Sequence, residues 1–225
     1  MATFPVRIQP PITYAPDTPF DFKRWVGAIS EHADAQDGWK NECMEINIHG
    51  TGATDPAWSQ IGATNFYAWN FANGGSQPKK SWATLIVPHD YKFDTNIYLN
   101  AVWCPNTTGA GNVAWNFSYT YADGNNQAAL GFASPTTVQV VTAAPAVQYK
   151  VMISELSTTQ ALNGTTLGIE PGGIISLYLY RDSADVADTY AEDVFGLAVG
   201  MHYQTDGRVT MQKAPSWTKF GKLGI

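Results

Sequence analysis

The sequence predicts an all-β protein: an antiparallel β-sandwich of jelly-roll type, preceded by an extended N-terminal arm and one short N-terminal helix. Three observations lead there. Strand and turn formers dominate the composition, with 8 Trp, 11 Tyr, 10 Phe, 20 Gly and 13 Pro in 225 residues, and only 14% of residues are charged. Aromatic residues suit a pleated, half-buried surface, and Gly and Pro supply turns. Beyond Gly38 the apolar residues alternate, and Gly/Pro/Asn/Asp clusters punctuate the runs without strand–helix alternation.

The first segment, "MATFPVRIQPPITYAPDTPF", carries Pro5, Pro10, Pro11, Pro16 and Pro19, which block regular ladder bonds. Phe4, Val6, Ile8, Ile12 and Tyr14 make it too apolar for a solvated tail. It reads as an arm lying on its own domain or on a neighbour, and these five residues are its candidate interface. Next comes a helical period, with Phe22, Trp25, Val26, Ile29 and Ala33 at i, i+3, i+4, i+7 and i+11. Thr18 and Pro19 open it as N-cap and first residue, and Asp37-Gly38 stops it. Arm and helix together form segment 1–38.

Residues 39–225 read as a single sandwich domain. Met44, Ile46 and Ile48 alternate with Glu45, Asn47 and His49. Ile97, Leu99, Ala101 and Trp103 alternate with Tyr98, Asn100 and Val102. In "NVAWNFSYTY", Val113, Trp115, Phe117, Tyr119 and Tyr121 share one face. Further strands are expected at 64–71, 82–87, 136–142, 147–154, 174–181 and 194–204, with a short one near 208–212. In the 194–204 run, Phe195, Leu197, Val199, Met201 and Tyr203 are expected inward, leaving His202 on the other face. Asn73-Gly74-Gly75, Asp123-Gly124, Pro171-Gly172-Gly173 and Asp206-Gly207 mark turns. Connections of ten residues or more favour Greek-key crossovers over an up-and-down barrel.

Charge narrows function. The net charge is −6, and the 13 basic residues are scattered, with Lys79-Lys80 the densest patch, which argues against nucleic-acid binding. No apolar run approaches ~18 residues, so no membrane span is expected. The N-terminus lacks the charged-then-apolar layout of a signal peptide, so the expectation is a chain made in a cytosol and kept there or released by lysis. Cys43 and Cys104 fit no metal spacing and are expected as free thiols.

Each candidate site has a plain structural counterpart. His89-Asp90 follows the strand "SWATLIVP", where Pro88 ends the ladder and Asp90 can tighten a turn; no nucleophile flanks it. His32, His49, His89 and His202 lack the short spacings of a metal site. The acidic run Asp182, Asp185, Asp188, Glu192 and Asp193 is not an EF-hand, and the expected structure is a loop with Arg181 pairing one carboxylate. Trp58, Trp69 and Trp217 are hard to place in the core and are candidates for a ligand patch or a subunit contact. No feature marks Glu155 or Glu170 as half of a catalytic carboxylate pair. No cofactor is called for.

From about Trp39 to Gly207 the chain resembles small jelly-roll virion proteins of tailed bacteriophages. The residues that carry this are His89-Asp90-Tyr91-Lys92, Trp103, Val113, Trp115, Arg181-Asp182, Asp188-Thr189-Tyr190 and His202-Tyr203. Asn100 and Ala101 stand where relatives of this kind carry histidines, which counts against a shared metal site. The resemblance implies a head decoration or cement protein, or a tail or fibre-knob protein. It also implies assembly as a homotrimer and on phage capsid or tail proteins, and location in the virion after synthesis in the host cytoplasm. The expected function is non-enzymatic: arm and loops bridge neighbouring capsid subunits, with His89, Asp90, Tyr91, Trp58 and Trp217 as candidate contacts. The alternatives are a tail or head-fibre component that binds a host glycan or receptor, and a glycan hydrolase using a carboxylate pair.

Overall fold

The structure, a computed structural model, describes residues 38–48, 54–74, 78–124 and 131–205. The N-terminal arm, the expected helix, His32, His49, the strand expected near 208–212 and Trp217 lie outside the described residues. Eleven strands follow in chain order: β1 (Gly38–Met44), β2 (Ala57–Gln60), β3 (Tyr67–Phe71), β4 (Lys79–Ile86), β5 (Asn96–Pro105), β6 (Asn112–Ala122), β7 (Thr136–Ala143), β8 (Met152–Glu155), β9 (Leu162–Asn163), β10 (Ile174–Arg181) and β11 (Val194–Thr205). One helical turn, α1 (Gly164–Leu167), sits between β9 and β10.

The strands form two antiparallel sheets. A seven-stranded sheet has the order β2-β3-β11-β5-β8, with β1 beside the later half of β11 and β9 beside the start of β5. A four-stranded sheet has the order β4-β10-β6-β7. The runs β3-β11-β5-β8 and β4-β10-β6-β7 are the two four-stranded layers of a jelly roll. The sandwich is therefore all-β and of the jelly-roll order, with β1, β2 and β9 added to the wider layer.

Alternation decides the core. Ile97, Leu99, Ala101 and Trp103 of β5 face Val113, Trp115, Phe117, Tyr119 and Tyr121 of β6 and Ile175, Leu177 and Leu179 of β10, all buried. Trp115 meets Trp103 at 6.2 Å and Phe71 edge-on at 5.0 Å, joining the layers through aromatic pairs. Trp103 Nε1 donates to Ser154 Oγ at 2.8 Å, and Ser154 Oγ donates to Thr142 Oγ1 at 2.8 Å. That chain ties β5, β8 and β7 together where the sheets meet.

Several expectations are corrected. The alternation of Met44, Ile46 and Ile48 does not make a core strand. β1 ends at Met44, which is 45% exposed, and Ile46 alone of the three is buried. The cause is position: β1 is an edge strand of the wider sheet, and Trp39–Met44 are all exposed. In β11 the register against β5 shifts between Gly196 and Ala198, a β-bulge that swaps faces. Val194, Val199, Met201 and Tyr203 point into the core, whereas Phe195 and Leu197 join Ile61, Ala68, Cys104 and Tyr149 in a second cluster. The strand expected at 147–154 is shorter, because Lys150 N bonds back to Val147 O in a turn and β8 begins only at Met152. Trp69 does pack against the core, its Nε1 donating to Ile46 O at 2.6 Å.

One charged residue continues the inward alternation of β10. Arg181 follows Ile175, Leu177 and Leu179 on the buried face, and its side chain is fully buried. Its Nε and Nη2 hold Asp188 as a fork, at 2.8 Å each. The remaining donors reach Phe71 O (3.3 Å), Glu192 O (2.7 Å) and Tyr190 O (2.5 Å). Asp188 Oδ2 also accepts from Ala114 N of β6 at 3.1 Å. Gly111, just before β6, lets the backbone at Thr189-Tyr190 pack against it: a Cβ there would sit 2.6 Å from Thr189 O.

Breaking this pair is costly because the partner is left charged and buried. Asp188→Ala or Arg181→Ala lowers stability by about 3–5 kcal/mol, read from urea midpoints, and the double variant loses clearly less than the two singles summed. The thiols separate by environment. Cys104 is buried, and burial pushes its pKa up to about 11, whereas Cys43 is exposed. A thiol reagent at neutral pH therefore labels one of the two cysteines in the native protein and both in denaturant.

Candidate functional site

The β4–β5 connection contains the sequence candidate His89-Asp90-Tyr91. His89 is exposed, at the apex of a turn closed by Tyr91 N donating to Pro88 O at 3.1 Å. Asp90 turns inward as an acceptor hub, receiving Tyr203 Oη at 3.0 Å, Thr205 Oγ1 at 2.9 Å and the Lys40 ammonium. Tyr91 lies in the core, and its hydroxyl donates to Thr95 O. Lys92 N bonds to Gln204 O at 2.8 Å. The segment is thereby pinned to the ends of β11 and β1, and its polar atoms serve that closure.

In the acidic segment after β10 the four aspartate carboxylates are occupied by donors from the chain itself. Asp182 accepts from Ala184 N, and Asp185 from Ala187 N and Gln139 Nε2. Asp193 accepts from Asn73 N and Asn70 Nδ2. Arg181 pairs with Asp188, the carboxylate pairing the sequence leads one to expect. Among the described residues no three His, Cys, Asp or Glu side chains converge as a metal site would require.

Two surfaces present aromatic side chains to solvent. On the β2–β3 hairpin, Trp58 and Phe66 are each 57% exposed and Tyr67 is 47% exposed. Trp58 stacks on Tyr67 at 6.3 Å and touches Trp69 at 4.6 Å. On the four-stranded sheet, Trp82 and Tyr178 pair across β4 and β10 at 4.3 Å, and Lys80 caps Tyr178 at 5.4 Å.

A third feature is an open cleft of about 420 Å³ lined by Trp39, Tyr98, Glu155, Thr158 and His202. The registers build it. His202 of β11 lies opposite both Asn41 of β1 and Tyr98 of β5, and Asn100 of β5 lies opposite Gly200 and Glu155. Paired residues share a face, so these side chains gather on the outer face of the wider sheet. Glu155 and His202 reach across β5 to share a hydrogen bond between Glu155 Oε2 and His202 Nδ1. Trp39 and Tyr98 meet edge-to-face at 5.6 Å. Beneath them Asn100 is fully buried. Its Nδ2 donates to Asn41 Oδ1 at 3.2 Å, and its Oδ1 has no partner among the described residues.

His202 stands on the outer face, as the alternation of β11 implies. Trp39, Tyr98, Glu155 and Thr158 were not distinguishable as a group in the sequence. Tyr98 and His202 carry the right strand parity, but Glu155 enters only once β8 is known to lie beside β5.

No model of a known protein family matches the chain, and no curated protein matches it. Several solved structures show a distant similarity. One comprises the CBM22-1–GH10 modules of a Clostridium thermocellum endo-1,4-β-D-xylanase complexed with xylohexaose, at 11% identity and TM-score 0.34 over 78% of this chain. Dimeric latent PorU from Porphyromonas gingivalis matches 75% of the chain at 11% identity and TM-score 0.34. TmCBM61 in complex with β-1,4-galactotriose matches 74% at 10% identity and TM-score 0.29, with 86% of that chain covered. The chain spans 28% of the first structure and 13% of the second.

Asp90 supplies a pH test. Its partial burial acts to raise the carboxyl pKa, but the bonds from Lys40, Thr205 and Tyr203 outweigh it and hold the group below the ordinary aspartate value. A depressed folded pKa stabilises the fold above the unfolded value, about 3.9, and that stability is lost as pH falls through the folded one. The stability difference between the native chain and Asp90→Asn is therefore flat near neutrality and shrinks on acidification below about pH 4, measured by denaturation midpoints across pH.

Proposed function

We propose that this chain is a non-enzymatic structural protein of a bacteriophage virion, a decoration or cement protein of the head that bridges neighbouring capsid subunits. The observation that carries the reading is the β2–β3 hairpin. β2 stands at the end of its sheet, and Trp58, Phe66 and Tyr67 on or next to the hairpin strands are about half exposed. A jelly roll whose core is already filled has no internal use for three exposed aromatic rings at one edge. Aromatic anchors of this kind are common at the centre of protein–protein contacts. The resemblance to small phage virion proteins over His89–Lys92, Trp103, Trp115, Arg181 and Asp188-Thr189-Tyr190 supports the same reading.

A hydrolytic alternative has less support. Paired-carboxylate hydrolysis needs two opposed acids, and the residues lining the cleft include one carboxylate, Glu155, held by His202.

The test uses purified virions and quantitative mass spectrometry. The expected result is a copy number comparable to that of the major capsid protein. Trp58→Ala combined with Tyr67→Ala should lower particle-bound protein about tenfold or more while leaving the unfolding midpoint of the free protein in place. A protein absent from the particle, or an occupancy unmoved by the double variant, contradicts the proposal.

A further inference from the structure

We infer that the cleft between Trp39, Tyr98, Glu155, Thr158 and His202 is a binding site for a neutral saccharide. This goes beyond the assembly role and does not depend on it, since it concerns a different surface and a different class of partner.

Size and shape come first. About 420 Å³ lies within the usual range of small-ligand clefts, and the site is open to solvent on one side. Its wall is aromatic for no reason the core supplies. Trp39 is 57% exposed on an edge strand, and Tyr98 is half-buried beside it at an interplanar angle of 63°. Two rings in that relation leave an indole face free as a platform with a second ring as a side wall. Such a corner suits a flat ligand with an apolar C–H face and a polar rim.

The polar groups choose the ligand class. A carboxylate only accepts, so the hydrogen bond to Glu155 requires a proton on His202 Nδ1. In the neutral imidazole Nε2 is then an acceptor, as is the second oxygen of Glu155. Asn100, directly opposite Glu155 in the register, is fully buried and does not line the cleft, so the acceptors offered to a ligand are those of Glu155 and His202. The hydroxyl of Thr158 can serve in either sense. A group of acceptors beside an aromatic platform calls for a ligand with several hydroxyl donors and no negative charge. A pyranose meets that description: its C–H face lies on the indole while neighbouring hydroxyls donate to Glu155 and His202. Anionic sugars are disfavoured by the carboxylate and by the chain's net charge of −6.

The experiment places the full chain on an array of neutral and anionic glycans, then titrates the strongest neutral oligosaccharide by ligand-observed NMR. The expected result is binding of a neutral glycan that Trp39→Ala and Glu155→Gln each weaken about tenfold or more. Trp82→Ala on the opposite sheet and Trp58→Ala on the hairpin should leave it unchanged. Both test residues are at least partly exposed, and circular dichroism checks that each variant keeps the fold. Three results would overturn the inference: no neutral glycan bound by the folded protein, binding confined to anionic glycans, or binding that both cleft variants leave intact. Because the readout is the isolated protein with sugar, failure here and failure of particle incorporation are separate outcomes.

Discussion

A guanidinium with no exposed atom organises one end of this sandwich. Arg181 occupies the inward position that alternation along β10 would otherwise give to an aliphatic residue, and five hydrogen bonds accept its charge and shape. Those bonds draw in the end of β3 through Phe71 O and the loop before β11 through Asp188, Tyr190 and Glu192. Asp188 extends the hold to β6 through Ala114 N. A buried ion pair is seldom a strong source of net stability, because desolvation consumes most of the attraction. Its contribution here is directional. A lysine would satisfy the charge but not the fork and the three carbonyls together, so the position of the 182–193 loop follows from the guanidinium plane. The opposite end is closed by Asp90 in a looser way, with a partly exposed carboxylate gathering Tyr203, Thr205 and Lys40.

Between these ends the bulge at Gly196–Ala198 governs what the outer face carries. Without it, Phe195 would share a face with Met201 and Tyr203, and β11 would have a single apolar side. The shift sends Phe195 and Leu197 outward, where Ile61, Ala68, Cys104 and Tyr149 cover them. Beyond the bulge the outward positions are the small or polar Gly200 and His202. A Cβ at Gly200 would sit 2.8 Å from both Asn100 Oδ1 and Glu42 O, so a side chain there would collide with Asn100 and the β1 backbone. The cleft exists because the strand crosses from an apolar outer half to a small and polar one.

Alternation made the central strands legible. β10 runs over the residues its pattern marks, 174–181, and every inward position assigned to β5 and β6 is buried. Those strands have neighbours on both sides and a sheet above them, so side-chain parity and burial coincide. The pattern failed where that coincidence ends. Met44 alternates correctly but sits exposed on an edge strand, and β2 is too short and exposed to show a period at all. The β11 bulge leaves no mark in composition, since Gly196, Ala198 and Gly200 can occupy either face. Arg181 with a nearby carboxylate could be anticipated; which acid it takes was decided by the loop's path. The cleft was the least visible part. Its members come from β1, β5, β8, the turn after β8 and β11, and only the strand order brings Glu155 to His202.

The same strand order keeps the two proposed surfaces apart. β3, which carries the hairpin, pairs with β11 at Val194–Gly196, whereas the cleft gathers around His202. At about 3.3 Å per residue along a strand, the two lie roughly 20 Å from each other on one sheet. A subunit contact centred on Trp58 and Tyr67 would therefore leave Trp39 and Tyr98 in solvent. The converse also holds, because a sugar on Trp39 touches neither β2 nor β3. Were the proposed particle contact made through the hairpin end of the wider sheet, the cleft end would stay free, and a weak single-site affinity multiplied over many copies would then suffice for attachment.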